Sequence, residues 1–312
     1  RARAAPRSRP RPPRPTRRGS ASPPTKNPPG EESPVPELPE VETIRRELDR
    51  EVVGKRIKSV EASGERTLRR HKSPKEFVAK LEGAKISGVE RRGKYLVFKL
   101  DTGDLLVCHL GMSGQLRKEQ AKDPVADHTH VVITFTQGGQ LRFLDPRTFG
   151  EMFVTTPDEL GEAVPELADL GFDPVETPLS WTAFGEMLIK RQTKLKALLM
   201  DQKFMAGLGN IYSDEILFAA GLRYDRPANS LSTQEIRRLY RSVVETLHDA
   251  VKYRGSTLAD QGYVDLYGKT GDYAEHHKVY ARDGLACRRC RTPIQKVRFN
   301  SRTTYYCPQC QV

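Results

Sequence analysis

The chain has 312 residues, 37% of them hydrophobic and 29% charged, with a formal net charge of +12. That length holds two domains and a small appendage, and no run approaches the roughly 18 apolar residues of a membrane-spanning helix, so no membrane contact is expected. Four of the five cysteines stand in two CxxC pairs near the end, which argues for a metal in a reducing compartment and against a disulfide framework.

Residues 1–34 hold ten of the 22 prolines and nine Lys or Arg against two Glu, with almost no apolar residue beyond alanine. Such a segment cannot bury enough surface to offset its ordering entropy, so residues 1–35 read as a disordered basic segment. A nucleic-acid-binding arm is the competing reading, but no aromatic is present to stack on a base, and no apolar stretch supports secretion. Val35 fits a GUG start initiated with Met, and Met before Pro is readily removed, so the mature protein is expected to begin at Pro36. The segment's net +7 leaves +5 on the remaining 277 residues, a moderately basic balance.

Pro36-Glu37-Leu38-Pro39-Glu40-Val41-Glu42-Thr43 opens the first helix. Pro39 suits the first helical position, Glu40 and Glu42 in the first turn complement the positive end of the dipole, and Val41, Ile44, Leu48 and Val52 recur as a buried stripe. Pro36 is thereby pinned at the mouth of a packed element. At a chain terminus its nitrogen is a secondary amine that titrates near about 8 and can add to a carbonyl-like carbon; inside a chain it is an inert amide.

Ser73-Pro74-Lys75-Glu76 is a capping box opening a helix that buries Phe77 or Val78 with Leu81. Strands are expected over 84–91, 94–100, 104–110, 130–136, 140–145 and 151–155, with turns at 101–104 and 137–140. Strands at near-regular spacing without βαβ alternation predict a β-sandwich with helices at its edges, ending near 160–178. Helical periodicity follows over about 180–189, 193–201, 211–220 and 233–253, the last opened by a second capping box, Ser232 with Glu235. The turn Ala206-Gly207-Leu208-Gly209-Asn210 feeds a helix start and either cradles a phosphate or is an ordinary helix–helix turn.

Cys287-x2-Cys290-x16-Cys307-x2-Cys310 has the spacing of a closed, four-cysteine structural zinc site. Arg288, Arg289, Arg291, Lys296, Arg298 and Arg302 crowd the same module, which reads as a DNA-facing finger or a solvated basic face. Cys108 lies in an apolar run and reads as a small buried hydrophobe. Two loops, 109–114 and 145–150, carry Met112 between glycines and Arg147 two residues before Phe149. Such side chains either wedge into DNA where a base has left the stack or simply pack under their loops.

The 36–43 opening, Arg92-Gly93-Lys94-Tyr95-Leu96, the two loops, Gly209-Asn210-Ile211-Tyr212 and the cysteine quartet with Arg302 five residues before Cys307 occur together and in order. In this the sequence resembles the bacterial formamidopyrimidine-DNA glycosylases across essentially all of residues 36–312. Leu38, where the related endonuclease VIII group typically has Gly, favours the enzyme for oxidised purines. The resemblance implies an α+β fold: an N-terminal catalytic β-sandwich with flanking helices over 36–165, a helix-two-turns-helix DNA-binding domain over 178–265, and a β-hairpin zinc finger over 278–312.

It further implies a DNA repair enzyme, both glycosylase and abasic-site lyase, that forms a Schiff base through Pro36 and cuts the strand by β,δ-elimination. Glu37 corresponds to the proton donor to the sugar and Lys94 to the lysine near the damaged nucleotide. His109, Asn210 and Arg302 correspond to phosphate contacts. Met112, Arg147 and Phe149 correspond to a void-filling triad, with Arg147 facing the widowed cytosine. The implied cofactor is one structural Zn2+ on Cys287, Cys290, Cys307 and Cys310, with no nucleotide cofactor. The implied partner is duplex DNA containing oxidised purines, met by a monomer in the bacterial cytoplasm, at the nucleoid. Thr148 stands where some members carry a second arginine, and 260–273 includes the region of a loop over the extruded base. The alternatives are a catalytically silent binder of damaged or abasic DNA and an endonuclease-VIII-like glycosylase for oxidised pyrimidines.

Overall fold

The computed structural model describes residues 35–177 and 179–312; the basic segment anticipated over 1–35 lies outside them except for Val35. In chain order the elements are α1 (Leu38–Val52), β1 (Ile57–Ala62), α2 (Pro74–Leu81), β2 (Ile86–Arg92), β3 (Tyr95–Leu100), β4 (Leu105–His109), β5 (Gln115–Glu119), β6 (Thr129–Phe135), β7 (Gln140–Leu144) and β8 (Glu151–Thr155). Two short helices follow, α3 (Leu160–Ala163) and α4 (Pro165–Ala168), then α5 (Trp181–Ile189), α6 (Leu195–Leu199), α7 (Asn210–Ala220) and α8 (Thr233–Lys252). A hairpin of β9 (Gln295–Phe299) and β10 (Arg302–Tyr306) closes the order.

The strands form two antiparallel four-stranded sheets, in the orders β1-β6-β7-β5 and β2-β3-β4-β8. Ile133 and Phe143 of one sheet share a core with Phe98, Leu106 and Met152 of the other, and Val41, Ile44 and Leu48 of α1 join it. The expected stripe of α1 is thus buried, Val52 included. Consecutive residues of β3 and β4, among them Val97 and Val107, are buried on both faces, because Leu160 and Val164 of the α3–α4 segment cover the outer side. Cys108 is fully buried in the first core, as its apolar run suggested.

β1 and β5, absent from the sequence reading, are the edges of their sheet. β5 (QLRKE) buries only Leu116 and is fixed by pairing with β7, while its Lys118 N–H donates to the Leu266 carbonyl at 2.9 Å. An edge strand that buries one side chain carries almost no hydrophobic period, so tertiary pairing defines it.

The second core joins α5–α8 to the zinc-binding segment: Phe184, Tyr212, Leu239 and Val243 pack in one cluster with Ile294, Tyr305, Cys287 and Cys307. Ser232 and Glu235 form the expected capping box of α8. The Ser73 box is half formed: Ser73 Oγ accepts the Glu76 N–H, but the Glu76 carboxylate accepts the Lys72 N–H instead of that of Ser73. Pro39 is not the first helical residue either; Leu38 takes that place after the N-cap Glu37.

Candidate active site and nucleic-acid interface

The site is built where the start of α1 meets the start of α7. Glu37 is the N-cap of α1, yet its carboxylate serves α7, accepting the N–H groups of Gly209 and Ile211 at 2.7 Å each and of Tyr212 at 3.3 Å. These backbone donors at the positive helix end are therefore engaged by a carboxylate of this chain, where the turn alone left open a phosphate cradle or an ordinary helix–helix turn. The glycines of the turn follow from this docking. A Cβ on Gly209 would lie 2.6 Å from the Glu37 carboxyl, and one on Gly207, whose φ is +87°, would lie 2.8 Å from Leu38. The Leu38 N–H donates to the Gly207 carbonyl at 2.9 Å, completing the seam.

Burial raises the Glu37 pKa above the ordinary carboxylate range, while the charge of Lys94 and the three N–H donors pull it down. Glu40, one turn on, is equally buried. Its carboxyl accepts the Tyr212 hydroxyl at 2.5 Å, the Ser256 N–H at 2.7 Å and the Glu37 N–H at 2.9 Å. Burial first, and the nearby Glu37 second, push its pKa up to about 7. The sequence reading gave Glu40 only a helix-dipole role. Its position three residues after Glu37 and beside the buried Val41 was the available signal for a buried carboxyl.

Pro36, Glu37, Glu40, Ile211, Ser256 and Tyr263 line a small cleft, with Leu258, Asp260 and Gly262 at its side. In the 260–273 segment the Tyr263 hydroxyl donates to the Arg254 carbonyl at 2.9 Å and that of Tyr267 to Glu51 at 2.8 Å, so both phenols are tied to the chain, Tyr263 buried and Tyr267 at the surface.

A second cleft is lined by Lys94, Tyr95, His109, Gly209, Met200 and Arg302. Lys94 follows Gly93 in the β2–β3 turn. Burial lowers its pKa and Arg302 adds to the effect, while Glu37 and Glu40 oppose it. His109 ends β4, its ring 4.5 Å from that of Tyr95. Burial, aided by Lys94, pulls its pKa down to about 4, so the ring is neutral at pH 7. Its Nδ1 accepts the Gly111 N–H at 3.2 Å, which leaves the ring proton on Nε2 as a donor. Asn210 is the first residue of α7, and its Oδ1 is enclosed without a hydrogen-bond partner. Arg302, exposed, is the first residue of β10.

Met112 and the Arg147–Phe149 pair sit on adjacent loops that one buried carboxylate holds together. Asp145 accepts the Ser113 hydroxyl at 2.5 Å, the Gly150 N–H at 2.7 Å and the Arg147 N–H at 3.2 Å. Met112 is half-buried and Arg147 exposed. The Phe149 ring, 42% exposed, has the guanidinium groups of Arg147 and Arg66 at 5.1 and 5.6 Å from its centroid. An aromatic left this open and flanked by cations is presented outward rather than packed under its loop. Thr148 adopts φ +55°, a strained conformation for a β-branched residue that the Asp145 clasp sustains.

The four cysteine sulfurs lie within 4.8 Å of one another, with Cys290 and Cys307 at 3.4 Å and Cys287 and Cys310 at 3.9 Å. A tetrahedral zinc about 2.3 Å from each sulfur sets them about 3.8 Å apart, so the quartet fits the ion. The finger is fastened to the helices by a buried ion pair. Lys196 of α6 donates to Asp214 of α7 at 2.7 Å, to the Thr304 hydroxyl at 2.8 Å and to the Thr303 carbonyl at 3.2 Å, and Asp214 also accepts the Tyr305 N–H at 2.9 Å. This clamp stands directly beside Arg302. Three cations of the finger also carry structure: Arg288 bonds the Glu275 carbonyl, Arg289 the Phe218 carbonyl, and Lys296 pairs with Asp283.

Three family models match the chain in succession: formamidopyrimidine-DNA glycosylase N-terminal domain over residues 35–152, formamidopyrimidine-DNA glycosylase H2TH domain over 170–261, and zinc finger found in FPG and IleRS over 284–312. The formamidopyrimidine-DNA glycosylase of Geobacillus kaustophilus is 44% identical over 277 residues, which cover 89% of this chain and all of that relative. The Lactococcus lactis protein in complex with abasic-site DNA is 36% identical with a TM-score of 0.79, covering 88% of this chain and 99% of that one. A point mutant of the same protein, bound to DNA containing Fapy-dG, is 35% identical at the same TM-score and coverage. With relatives this similar along their whole length, and with both its cores and its zinc quartet accounted for, the chain belongs to the formamidopyrimidine-DNA glycosylase family.

Proposed function

We propose that Pro36 is the nucleophile with which this glycosylase removes formamidopyrimidines and 8-oxoguanine from duplex DNA and then, as a lyase, cuts the abasic strand. The observation that carries the residue assignment is the cleft shared by Pro36, Glu37 and Glu40, with the charge of Lys94 acting on both carboxyls from the neighbouring cleft. The Pro36 amine attacks C1′ of the damaged nucleoside as the C1′–N bond breaks, and the amine's remaining N–H proton goes to the departing base. Glu37 gives a proton to the sugar ring oxygen as the ring opens, leaving a cationic iminium between Pro36 and C1′. That cation acidifies the C2′ proton, whose loss starts the eliminations that sever the strand on both sides. A raised pKa at Glu37 suits it to hold a proton for this step.

Lys94, His109, Asn210 and Arg302 hold the phosphates around the lesion, His109 through its Nε2–H, with Arg302 carried to the strand by the zinc-organised finger. Met112, Arg147 and Phe149 fill the space of the extruded base, Arg147 toward the opposite cytosine. Zinc supplies fold here and takes part in no bond-making step. The division of labour follows the segments 36–165, 178–265 and 278–312, and the activity belongs in the bacterial cytoplasm, at the nucleoid. Among the described residues no helix is long and apolar enough to cross a membrane.

Borohydride reduction of a reacting complex tests the assignment. Trapped protein–DNA adduct whose terminal sequencing finds the sugar on Pro36, and its disappearance in Pro36→Gly, are expected. An adduct of undiminished yield in Pro36→Gly refutes it.

A further inference from the structure

Behind the cleft that holds Pro36, four side chains form a continuous buried chain of hydrogen bonds. The Glu40 carboxyl meets the Tyr212 hydroxyl at 2.5 Å; that hydroxyl lies 3.1 Å from Ser256 Oγ, and Ser256 Oγ lies 2.9 Å from His277 Nε2. All four residues are at most 3% exposed. The two ends open in different places. Glu40 lines the Pro36 cleft, whereas His277 lines a separate groove with Thr257, Asp272, Ala274, Tyr280 and Arg282. A structural network would need no such pair of outlets.

Every link can run in either sense. In one sense Tyr212 donates to Glu40, Ser256 to Tyr212 and His277 to Ser256; in the other each bond is reversed, with the proton on Glu40 and His277 accepting. Switching between the two moves one proton the length of the chain without moving a heavy atom. We propose that Tyr212, Ser256 and His277 form a proton relay that carries protons between the Glu40 carboxyl at the reaction cleft and the His277 groove. The proposal rests on the Pro36 reading for its use. The Pro36 ammonium loses an N–H proton to the Glu40 carboxylate and keeps the electron pair as its nucleophilic lone pair. Glu40 passes a proton to Tyr212, Tyr212 its own to Ser256, and Ser256 its own to His277 Nε2, and the imidazolium releases its other ring proton, which bonds the Tyr280 backbone, to the groove. One proton leaves the amine and one enters solvent, with no change of oxidation state.

The end groups are suited to such traffic. Burial and Glu37 raise Glu40 to about 7, while burial lowers His277 from the ordinary histidine value, so the imidazole passes a proton on rather than keeping it. Glu37, Lys94, Tyr263 and Tyr273 face the Glu40 end; Glu215 of α7, Arg282 and Arg288 face the His277 end.

His277→Gln keeps a polar side chain beside Ser256 but cannot titrate. Single-turnover excision from a formamidopyrimidine duplex should slow by about tenfold to a hundredfold, and its pH profile should lose a limb, with unchanged affinity for an abasic-site duplex. In His277→Ala, imidazole added to the buffer should restore the rate. A wild-type rate and pH profile in His277→Gln, or a deficit in His277→Ala that imidazole does not relieve, overturns the relay. NMR titration of the His277 ring in the free protein judges it without reference to Pro36. Coupling to Glu40 should give a biphasic curve that becomes a single step in Ser256→Ala, and identical curves overturn the relay. Absence of any borohydride adduct in the wild-type protein strikes at the Pro36 assignment alone, because the titration still decides the relay.

Discussion

Glu37 and Glu40 are two carboxyls in one turn, and their surroundings push them toward different tasks. Glu37 is fixed by three backbone donors and faces Lys94; Glu40 is fixed by a phenol and two N–H groups. Glu37→Gln removes the transferable proton and turns an amide NH2 toward backbone N–H donors. Base excision should fall by a hundredfold or more, on the order of a full general-acid contribution, while some cleavage at a ready-made abasic site persists. Gel assays on the two substrates check this, and undiminished base release refutes it. The raised Glu40 pKa fixes a sign for stability. The folded state holds its proton up to about pH 7, the unfolded chain only to about 4.5, so the Glu40 contribution declines as pH rises through that window, by on the order of 3 kcal/mol. Melting temperatures should therefore drop less between pH 5 and 8 in Glu40→Gln than in the wild-type protein. Beyond its place beside the buried Val41, sequence carried little sign of this, because a carboxylate three residues into a helix is ordinarily a solvated dipole partner. Only the distant Tyr212 and Ser256 make it a buried one. Asp145 was hidden in the same way: its neighbours Arg147 and Phe149 drew attention, and the carboxylate that holds them did not.

At the level of elements, the finger and α7 are joined by the Lys196–Asp214 pair, both partners 1% exposed. Lys196→Met preserves the stem but strands a carboxylate in the core, at a cost of about 3–5 kcal/mol. Chemical denaturation should register that loss, and the DNA affinity proposed for Arg302 should fall with it; a stability change under about 1 kcal/mol would show the clamp to be dispensable. Elements with a strong period were legible in advance. α1 and α8 announce themselves by apolar stripes and capping residues, β3 and β4 by unbroken apolar runs, and the zinc quartet by spacing. β1 and β5 were not, because their identity resides in partners across a sheet edge, and α3 and α4 were not, because four residues make barely one turn. The half-formed Ser73 box makes the same point on a smaller scale, since which N–H a glutamate reaches is set by the incoming backbone.

For the molecule as a whole, α1 is the common member of both halves. Its apolar stripe belongs to the sandwich core, while Glu37 and Glu40 bind α7 and the segment after α8. Glu42 pairs with the buried Arg91, itself held by Asp173 at 2.5 Å, and Glu47 with Arg254. Protein in which Pro36 remains joined to upstream residues should bind abasic-site DNA with a salt-sensitive shift yet give no borohydride adduct, since its nitrogen is then an amide. Matched gel-shift and trapping assays on trimmed and untrimmed protein check this, and an adduct from the untrimmed form would sink it. The placement of the Glu37 carboxyl in the mouth of a helix from the other half has a last consequence. The three donors belong to α7 and the carboxyl to the start of α1, so any rocking of one half against the other would strip all three at once. The aim of the proposed proton donor is therefore a property of the seated pair of halves and of neither half alone.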